Sequence, residues 1–331
     1  MTTPTHRIII DCDPGHDDMA AILLAAANPA IKIEAITAVC GNASVDNTTN
    51  NALRIVDSFG LDIPVYRGAE QPLLHRYEFP AEFHGPTGLD SAGADLPAAT
   101  SRAAEGHAVD AIIRLVEANP GEISLVVIGP MTNVALVLAL RPDLAPKIKQ
   151  IVFMGGSSGE GNVTAAAEFN IWADAEAARM VFRAGVPLVM FGLNVTHQTL
   201  LRRADVAAVR DAVPGDNMVA DILEYYCGTY YRFAGADKPG APLHDPCCIA
   251  WLIDPTLFEI SQHAGEVIVD NGGAYGQTLI DVRPQDPAHD QREKNVGLAV
   301  TADAERFATL VTQAMIWAAG RVSTRTQDIA S

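Results

Sequence analysis

Positive charge is scarce in this sequence. Against 40 Asp and Glu residues stand 23 Lys and Arg, giving a net charge of −17. A chain of that sign is repelled by a phosphate backbone, which argues against nucleic acid as a partner. It equally disfavours an anionic membrane surface and favours a neutral or cationic small molecule. Cysteine is sparse too. There are five, an odd number, with Cys247 and Cys248 adjacent and no Cys-x-x-Cys. That pattern argues against a disulfide framework or a zinc site. No apolar run approaches the ~18 residues that span a bilayer. Met1 to Arg7 contains no apolar signal core. The expectation is a soluble, cytoplasmic protein with no membrane partner. Three ligand-binding loops are missing as well. No Gly-Lys-Ser/Thr follows a glycine loop, no Gly-x-Gly-x-x-Gly opens a helix, and no 12-residue EF-hand loop occurs.

What is present is ample core. Of 331 residues, 49% are hydrophobic. Short apolar runs alternate with helical patterns: Arg7 to Ile10, then Met19 to Ala27; Ile31 to Ala38, then Val45 to Phe59; Ile63 to Tyr66. After an aperiodic stretch over 67–105, a helix is expected near Gly106 to Ala118 and a strand at Ile123 to Ile128. Thr132 reads as the N-cap of the following helix to Leu140. Strands at Lys149 to Met154 and Pro187 to Phe191 flank a helix capped by Asp174. Such alternation predicts an α/β fold, a Rossmann-like domain with a mostly parallel central sheet flanked by helices. Farther on, Asp205 to Arg232 reads as mainly helical and Asp245-Pro246 as the start of a helix through Ile253. Residues 265–282 and 295–301 alternate like strands, before a last helix capped by Asp303. Candidate site residues are scattered from 13 to 245 without a linker between them, so a single domain over 1–331 is expected.

The chemistry concentrates in Asp11-Cys12-Asp13-Pro14-Gly15-His16-Asp17-Asp18, a strand-to-helix turn holding four carboxylates. Ligands of open α/β sheets bind at the carboxyl ends of strands. A helix N-terminus favours an anion by only ~0.3–1 kcal/mol, which cannot offset repulsion among four of them. A hard cation can. One acid suffices as a cap, so Asp11 reads either as a cap or as part of the cluster. Later strand ends add Asn42, the Ile128 carbonyl, Asn162, Glu168, Asn170 and Asp245. This set is oxygen-rich and lacks clustered His and Cys, which favours calcium or magnesium over zinc.

The opening motif resembles the signature of the inosine-uridine nucleoside hydrolase family. The resemblance continues through Gly41-Asn42, Gly129-Pro130-Met131-Thr132-Asn133, Met154-Gly155-Gly156, Ala167-Glu168-Phe169-Asn170 and His244-Asp245-Pro246, in order along nearly the whole chain. It implies hydrolysis of the N-glycosidic bond of ribonucleosides to ribose and base, one Ca2+ per subunit, and a homo-oligomer, either dimer or tetramer. Carried over by motif, the calcium ligands are Asp13, Asp18, the carbonyl of Ile128 and Asp245. Asp17, Asn42, Asn162, Glu168 and Asn170 face ribose hydroxyls, with Met154 beside the sugar. Asp13 is in addition the general base toward water. A carboxyl near its usual pKa of ~3.9 is a weak base for bulk water, so the ion must share that task.

The leaving base needs a proton or a hydrogen bond. His244, next to Asp245, and His84, in the segment His84-Gly85-Pro86-Thr87-Gly88-Leu89-Asp90, are candidates. A lone histidine is more often structural, and the residues alone leave both roles open. Tyr226 and Tyr230, four apart, share a helix face and read either as packing or as an aromatic wall for the base. By resemblance this pair fits enzymes that accept both inosine and uridine, serving purine and pyrimidine salvage; strict pyrimidine specificity is the alternative. A magnesium phosphohydrolase would need a Lys or Arg in the motif loops, and none is there. A non-catalytic nucleoside sensor would bind without releasing base.

Overall fold

Ile8, Ile9 and Ile10 are all fully buried, pointing alternately to both faces, which puts their strand in the middle of a covered sheet. The computed structural model describes residues 5–75, 84–215, 217–284 and 293–330, with side chains through Val322. Its strands are β1 (His6–Cys12), β2 (Ile31–Ala38), β3 (Val65–Arg67), β4 (Ile123–Val127), β5 (Gln150–Met154), β6 (Leu188–Phe191), β7 (Leu200–Leu201), β8 (Ala241–Pro242), β9 (Phe258–His263), β10 (Gly265–Val267), β11 (Thr278–Ile280) and β12 (Val296–Ala302). The helices are α1 (His16–Ala27), α2 (Val45–Phe59), α3 (Ala108–Ala118), α4 (Thr132–Leu140), α5 (Phe169–Ala173), α6 (Ala175–Phe182), α7 (Leu193–Thr196), α8 (Arg203–Ala212), α9 (Met218–Ala234), α10 (Pro246–Ile253) and α11 (Ala304–Ala330).

Eight strands form one sheet in the order β3-β2-β1-β4-β5-β6-β12-β9, parallel except for the antiparallel edge strand β9. The chain winds outward from β1 to β3, then returns to start again at β4. That reversal makes β1 and β4 the topological switch point, where a crevice opens beyond the strand ends. Asp13 follows β1 and Ile128 follows β4. The Ile128 amide donates to the Asp11 carbonyl at 2.8 Å and ties the two ends together. Alternation along the strands feeds two cores. Ile8, Ile10, Val126 and Val152 pack with α1, α2 and α9–α11. Ile9, Leu125, Val127, Ile151 and Phe153 pack with α3, α4 and α6 on the other face. No helix among the described residues is long and apolar enough to cross a membrane.

Several expectations shift in detail. α1 begins at His16, not Met19, so Asp17 and Asp18 lie on its first turn. Thr132 does not cap α4; Met131 holds that position, and the Thr132 hydroxyl donates to Asp174 Oδ2 at 2.7 Å. The region 205–232 divides into α8 and α9, because Pro214-Gly215 cannot continue a helix and Asn217 caps the second, accepting from the Ala220 amide at 3.1 Å. β9 is absent from the sequence reading because its Glu259, Ser261 and Gln262 suit an exposed edge. Of the long segment 67–105, residues 76–83 lie outside the described residues; Leu89 and Leu96 return to the core.

Asp174 does cap α6, accepting from Ala177 N at 3.1 Å, and it also accepts from the Leu73 amide at 2.9 Å. With the Thr132 bond, one buried carboxylate joins three segments. Asp174→Ala is expected to cost ~2–4 kcal/mol, since it removes a cap and orphans two further donors. The urea unfolding midpoint reads this directly, and an unshifted midpoint would show the three bonds to be dispensable.

Candidate active site

Close approach of backbone to Asp13 builds the floor of the crevice. A Cβ on Gly41 would lie 2.0 Å from Asp13 Oδ2, and one on Gly129 would lie 2.4 Å from Oδ1. Only glycine fits at either position. The Asn42 amide then donates to Asp13 Oδ2 at 2.6 Å, while its side-chain Nδ2 reaches the Asp13 carbonyl at 3.2 Å and Asp18 Oδ2 at 3.3 Å. Asp18 reaches back to its own helix start, accepting from Gly15 N at 2.9 Å and from Asp13 N at 3.3 Å. Asp245 stands at the N-terminus of α10 with Pro246 at the first helical position.

Oxygen atoms of Asp17, Asp18 and Asp245 lie within 4.8 Å of one another. The expected ligand set was Asp13, Asp18, Ile128 and Asp245, with Asp17 on ribose. That group contains Asp17 in place of Asp13. Neighbouring charges couple all four carboxyls. Burial first, and then repulsion from these neighbours, pushes Asp13 and Asp245 well above the ordinary carboxylate range. Burial followed by Asp18 raises Asp17 to about 8, and burial raises Asp18 to about 6. Among the described residues lining the cavity there is no Lys or Arg to relieve this. Asp13 Oδ1 is buried without a hydrogen-bond partner. An orphaned carboxylate oxygen within an all-oxygen donor set fits a hard divalent cation. Asp11, by contrast, is neither cap nor member of the group: Thr37 Oγ1 and Asn133 Nδ2 donate to its Oδ1 at 2.6 and 2.8 Å.

A cavity of about 250 Å³ opens beside the carboxylates, lined by Asp17, Asn42, Ile128, Met154, Asn162 and Glu168 on one side. Asn170, His244, Asp245, His84 and Tyr226 complete it together with Val163 and Phe169, two residues to which the sequence reading gave no role. Glu168 caps α5, with Oε1 accepting from Asn170 N at 2.9 Å and Oε2 from Gly156 N at 2.7 Å. Asn170 Nδ2 donates to the carbonyls of Ile128 and Met154, both at 3.2 Å, which fixes the strand ends and leaves Ile128 a second lone pair. Asn162 Oδ1 accepts from Phe169 N at 2.9 Å. His244 Nδ1 lies 2.8 Å from Thr196 Oγ1, and burial lowers its pKa to about 3, so the ring is neutral. A larger cleft of about 490 Å³ between α6 and the β10–β11 hairpin contains none of these residues.

The tyrosine pair separates. Tyr226 is buried in the cavity wall and its hydroxyl donates to the Pro242 carbonyl at 2.5 Å. That proton is committed, so it is not offered to a purine nitrogen. Tyr230 packs against the core and does not line the cavity. Next to His84, outside the cavity lining, is a stack that sequence reasoning missed. His16 lies against Tyr225 at 5.2 Å between ring centroids, and against His84 at 5.3 Å.

A doubly wound sheet with a carboxylate-lined, polar cavity at its switch point has the layout of an α/β enzyme with a small-molecule site. The chain belongs to the inosine-uridine preferring nucleoside hydrolase family, whose model matches residues 8–309, and it is a nucleoside hydrolase. It is 42% identical over 276 residues to the pyrimidine-specific ribonucleoside hydrolase RihB of Shigella sonnei, covering 83% of this chain and 87% of that one. Its fold is similar to the purine-preferring ribonucleoside hydrolase from Gardnerella vaginalis, with a TM-score of 0.86 and 34% identity over 95% of this chain and 99% of the other. It is also similar to the plant nucleoside hydrolase PpNRh1, with a TM-score of 0.85 and 31% identity over the same shares.

Proposed function

We propose that the chain, as one domain over 1–331, hydrolyses both purine and pyrimidine ribonucleosides, inosine and uridine among them, to ribose and free base. The observation that carries ribonucleoside hydrolysis is the buried carboxylate group opening onto a cavity lined by ribose-type partners; the breadth over bases rests on the family resemblance. Asp17, Asp18, Asp245, Asp13 and the Ile128 carbonyl would hold a calcium ion. A bound calcium ion supplies Lewis acidity toward water and orients hydroxyl groups.

The chain's own residues do the rest. Asp13 takes a proton from water as its oxygen forms a bond to C1′. The C1′–N bond breaks with its electron pair on the base, which takes up a proton from solvent. Asp13, Asp17, Asp18 and Asp245 face the positive charge that develops on the sugar. Asn42 holds the Asp13 carboxylate in one orientation through the 2.6 Å amide contact. Asn162, Glu168 and Asn170 bind ribose hydroxyls, and Met154 packs against the sugar. Neutral His244 offers an N–H to the departing base. A second reading, pyrimidine specificity, is favoured by the 42% identical relatives.

A panel of inosine, adenosine, guanosine, uridine and cytidine, each measured for kcat/KM, separates these readings. Measurable turnover of inosine alongside uridine supports the broad one, and turnover of pyrimidines alone supports the narrow one. We expect 2′-deoxynucleosides to be rejected by at least ~10²-fold, because a missing hydroxyl leaves buried polar partners unpaired. Comparable rates for uridine and 2′-deoxyuridine would overturn the ribose assignment. Binding of inosine without release of hypoxanthine would indicate a sensor instead. Cytoplasmic location and a homotetramer or dimer are part of the same proposal; sedimentation tests the assembly.

A further inference from the structure

His16 occupies the middle of the acidic motif, yet nothing in the hydrolytic chemistry above uses it. It is fully buried. Its Nε2 lies 2.8 Å from the carbonyl oxygen of Asp90, and its Nδ1 lies 3.0 Å from Nδ1 of His84. A carbonyl oxygen only accepts, so His16 Nε2 must carry the hydrogen. His16 is fully buried with a carbonyl and an imidazole, and no carboxylate, at its two nitrogens, and His84 is buried against it, so a charge on either ring would be costly and both are neutral. A neutral imidazole has one N–H. His16 Nδ1 is therefore the bare, accepting nitrogen, and the hydrogen between the two rings belongs to His84 Nδ1. It follows that Nε2 of His84 has no hydrogen of its own. Stacking on Tyr225, with ring planes 3° apart, prevents His16 from turning to exchange its nitrogens.

We propose that His16 is a positioning residue that locks His84 in its Nδ1–H tautomer, so that His84 presents an acceptor to the nucleoside and selects substrates that offer a hydrogen-bond donor there. The proposal rests on the nucleoside hydrolase reading for its substrate and on geometry alone for its tautomer. His84 lines the cavity with His244 and with Tyr226, whose ring centroid lies 6.4 Å from its own. Two donors of a nucleoside have the required chemistry: an imide N–H of the base and the 5′-hydroxyl of the sugar. The same assignment removes His84 as a proton donor in the resting enzyme and leaves that task to His244.

The test has two parts. In the first, long-range proton–nitrogen spectra of histidine-labelled protein, assigned with a His84→Gln variant, report which His84 nitrogen carries hydrogen. The Nδ1–H form is expected in the wild type and in His16→Gln, whose amide can donate to Asp90 and accept from His84. It is expected to be lost in His16→Leu. In the second, uridine is compared with 3-methyluridine, which lacks the imide N–H, and with 5′-deoxyuridine. One analogue is expected to lose at least ~10-fold in kcat/KM in the wild type and in His16→Gln, and that discrimination should fall to about threefold or less in His16→Leu. Which analogue is affected identifies the donor. A purely steric penalty on the methyl group would persist in His16→Leu and would count against the proposal. Hydrogen on His84 Nε2 in the wild type, or unchanged discrimination against both analogues in His16→Leu, would overturn it. Should His16→Leu fail to fold, the wild-type and His16→Gln spectra still decide. A wild type that cleaves no ribonucleoside would defeat the hydrolase reading and leave the tautomer assignment standing on its spectrum.

Discussion

Asp13→Asn is expected to lower kcat by at least ~10²-fold while leaving the fold intact. The size follows from the loss of a general base, typically ~10²–10⁴-fold. The choice of asparagine follows from the geometry. Asp13 Oδ2 accepts the Asn42 amide at 2.6 Å, and an asparagine carbonyl can keep that bond. Alanine would orphan the amide at ~1–3 kcal/mol and confuse a chemical loss with a structural one. The substitution also removes one of four mutually repelling buried carboxyls, so unfolding midpoints are expected to hold or rise. Single-turnover measurements with saturating p-nitrophenyl riboside then isolate the chemical step. A rate within about threefold of wild type would remove Asp13 as the base and shift attention to Asp17, whose oxygens lie in the tighter carboxylate group.

That last contrast marks where the sequence ceases to be informative. The strand at Ile8–Ile10, the acidic turn after it and the cap at Asp174 are local patterns, and they appear where spacing puts them. Burial of a strand on both faces leaves an unbroken apolar run, and a cap leaves a polar residue at a helix start. Which carboxylates approach closest is another matter. Asp17 and Asp18 are adjacent on α1, about 100° apart around its axis. The Asp13 carboxylate is held by the Asn42 amide, on a different loop, a contact that local spacing does not show. His16 is illegible for the same reason, since its partner His84 is 68 residues away in sequence. The tyrosine pair shows the converse error. Sharing a helix face puts Tyr226 and Tyr230 on one side of α9, but one turn is ~6 Å along the axis. Tyr226 lines the cavity, and Tyr230, four residues on, packs against the core and does not. Thr132 looked like a cap because threonine commonly is one, and it instead spends its hydroxyl on Asp174, 42 residues on.

Removal of divalent cations is expected to abolish turnover, and its effect on stability should change sign with the carboxylate count. In the cation-free protein the buried group pays for repulsion that no Lys or Arg among the described residues lining the cavity relieves. Asp245→Asn, which deletes from the set of Asp17, Asp18 and Asp245 a carboxyl whose ionisation burial and its neighbours oppose, should therefore leave the stripped protein as stable as wild type or more so. With calcium present the order reverses. A ligand at 100 times its Kd stabilises the native state by ~2.7 kcal/mol, which corresponds to a rise of about a few degrees in melting temperature for a chain of this size. Asp245→Asn loses a ligand, so it should lose most of that rise at the same calcium concentration. The measurement is a four-way melting comparison: wild type and Asp245→Asn, each in EDTA and in excess calcium. A structural role for Asp245 unrelated to an ion would lower both melting curves alike. Only a carboxylate that repels its neighbours when alone and grips an ion when loaded gives opposite signs in the two buffers. Equal melting temperatures for wild type with and without calcium, together with full activity in EDTA, would remove the ion from this site. None of the described residues lining the cavity is Lys or Arg, so the acidic turn after β1 would then answer the positive charge that develops on the sugar itself.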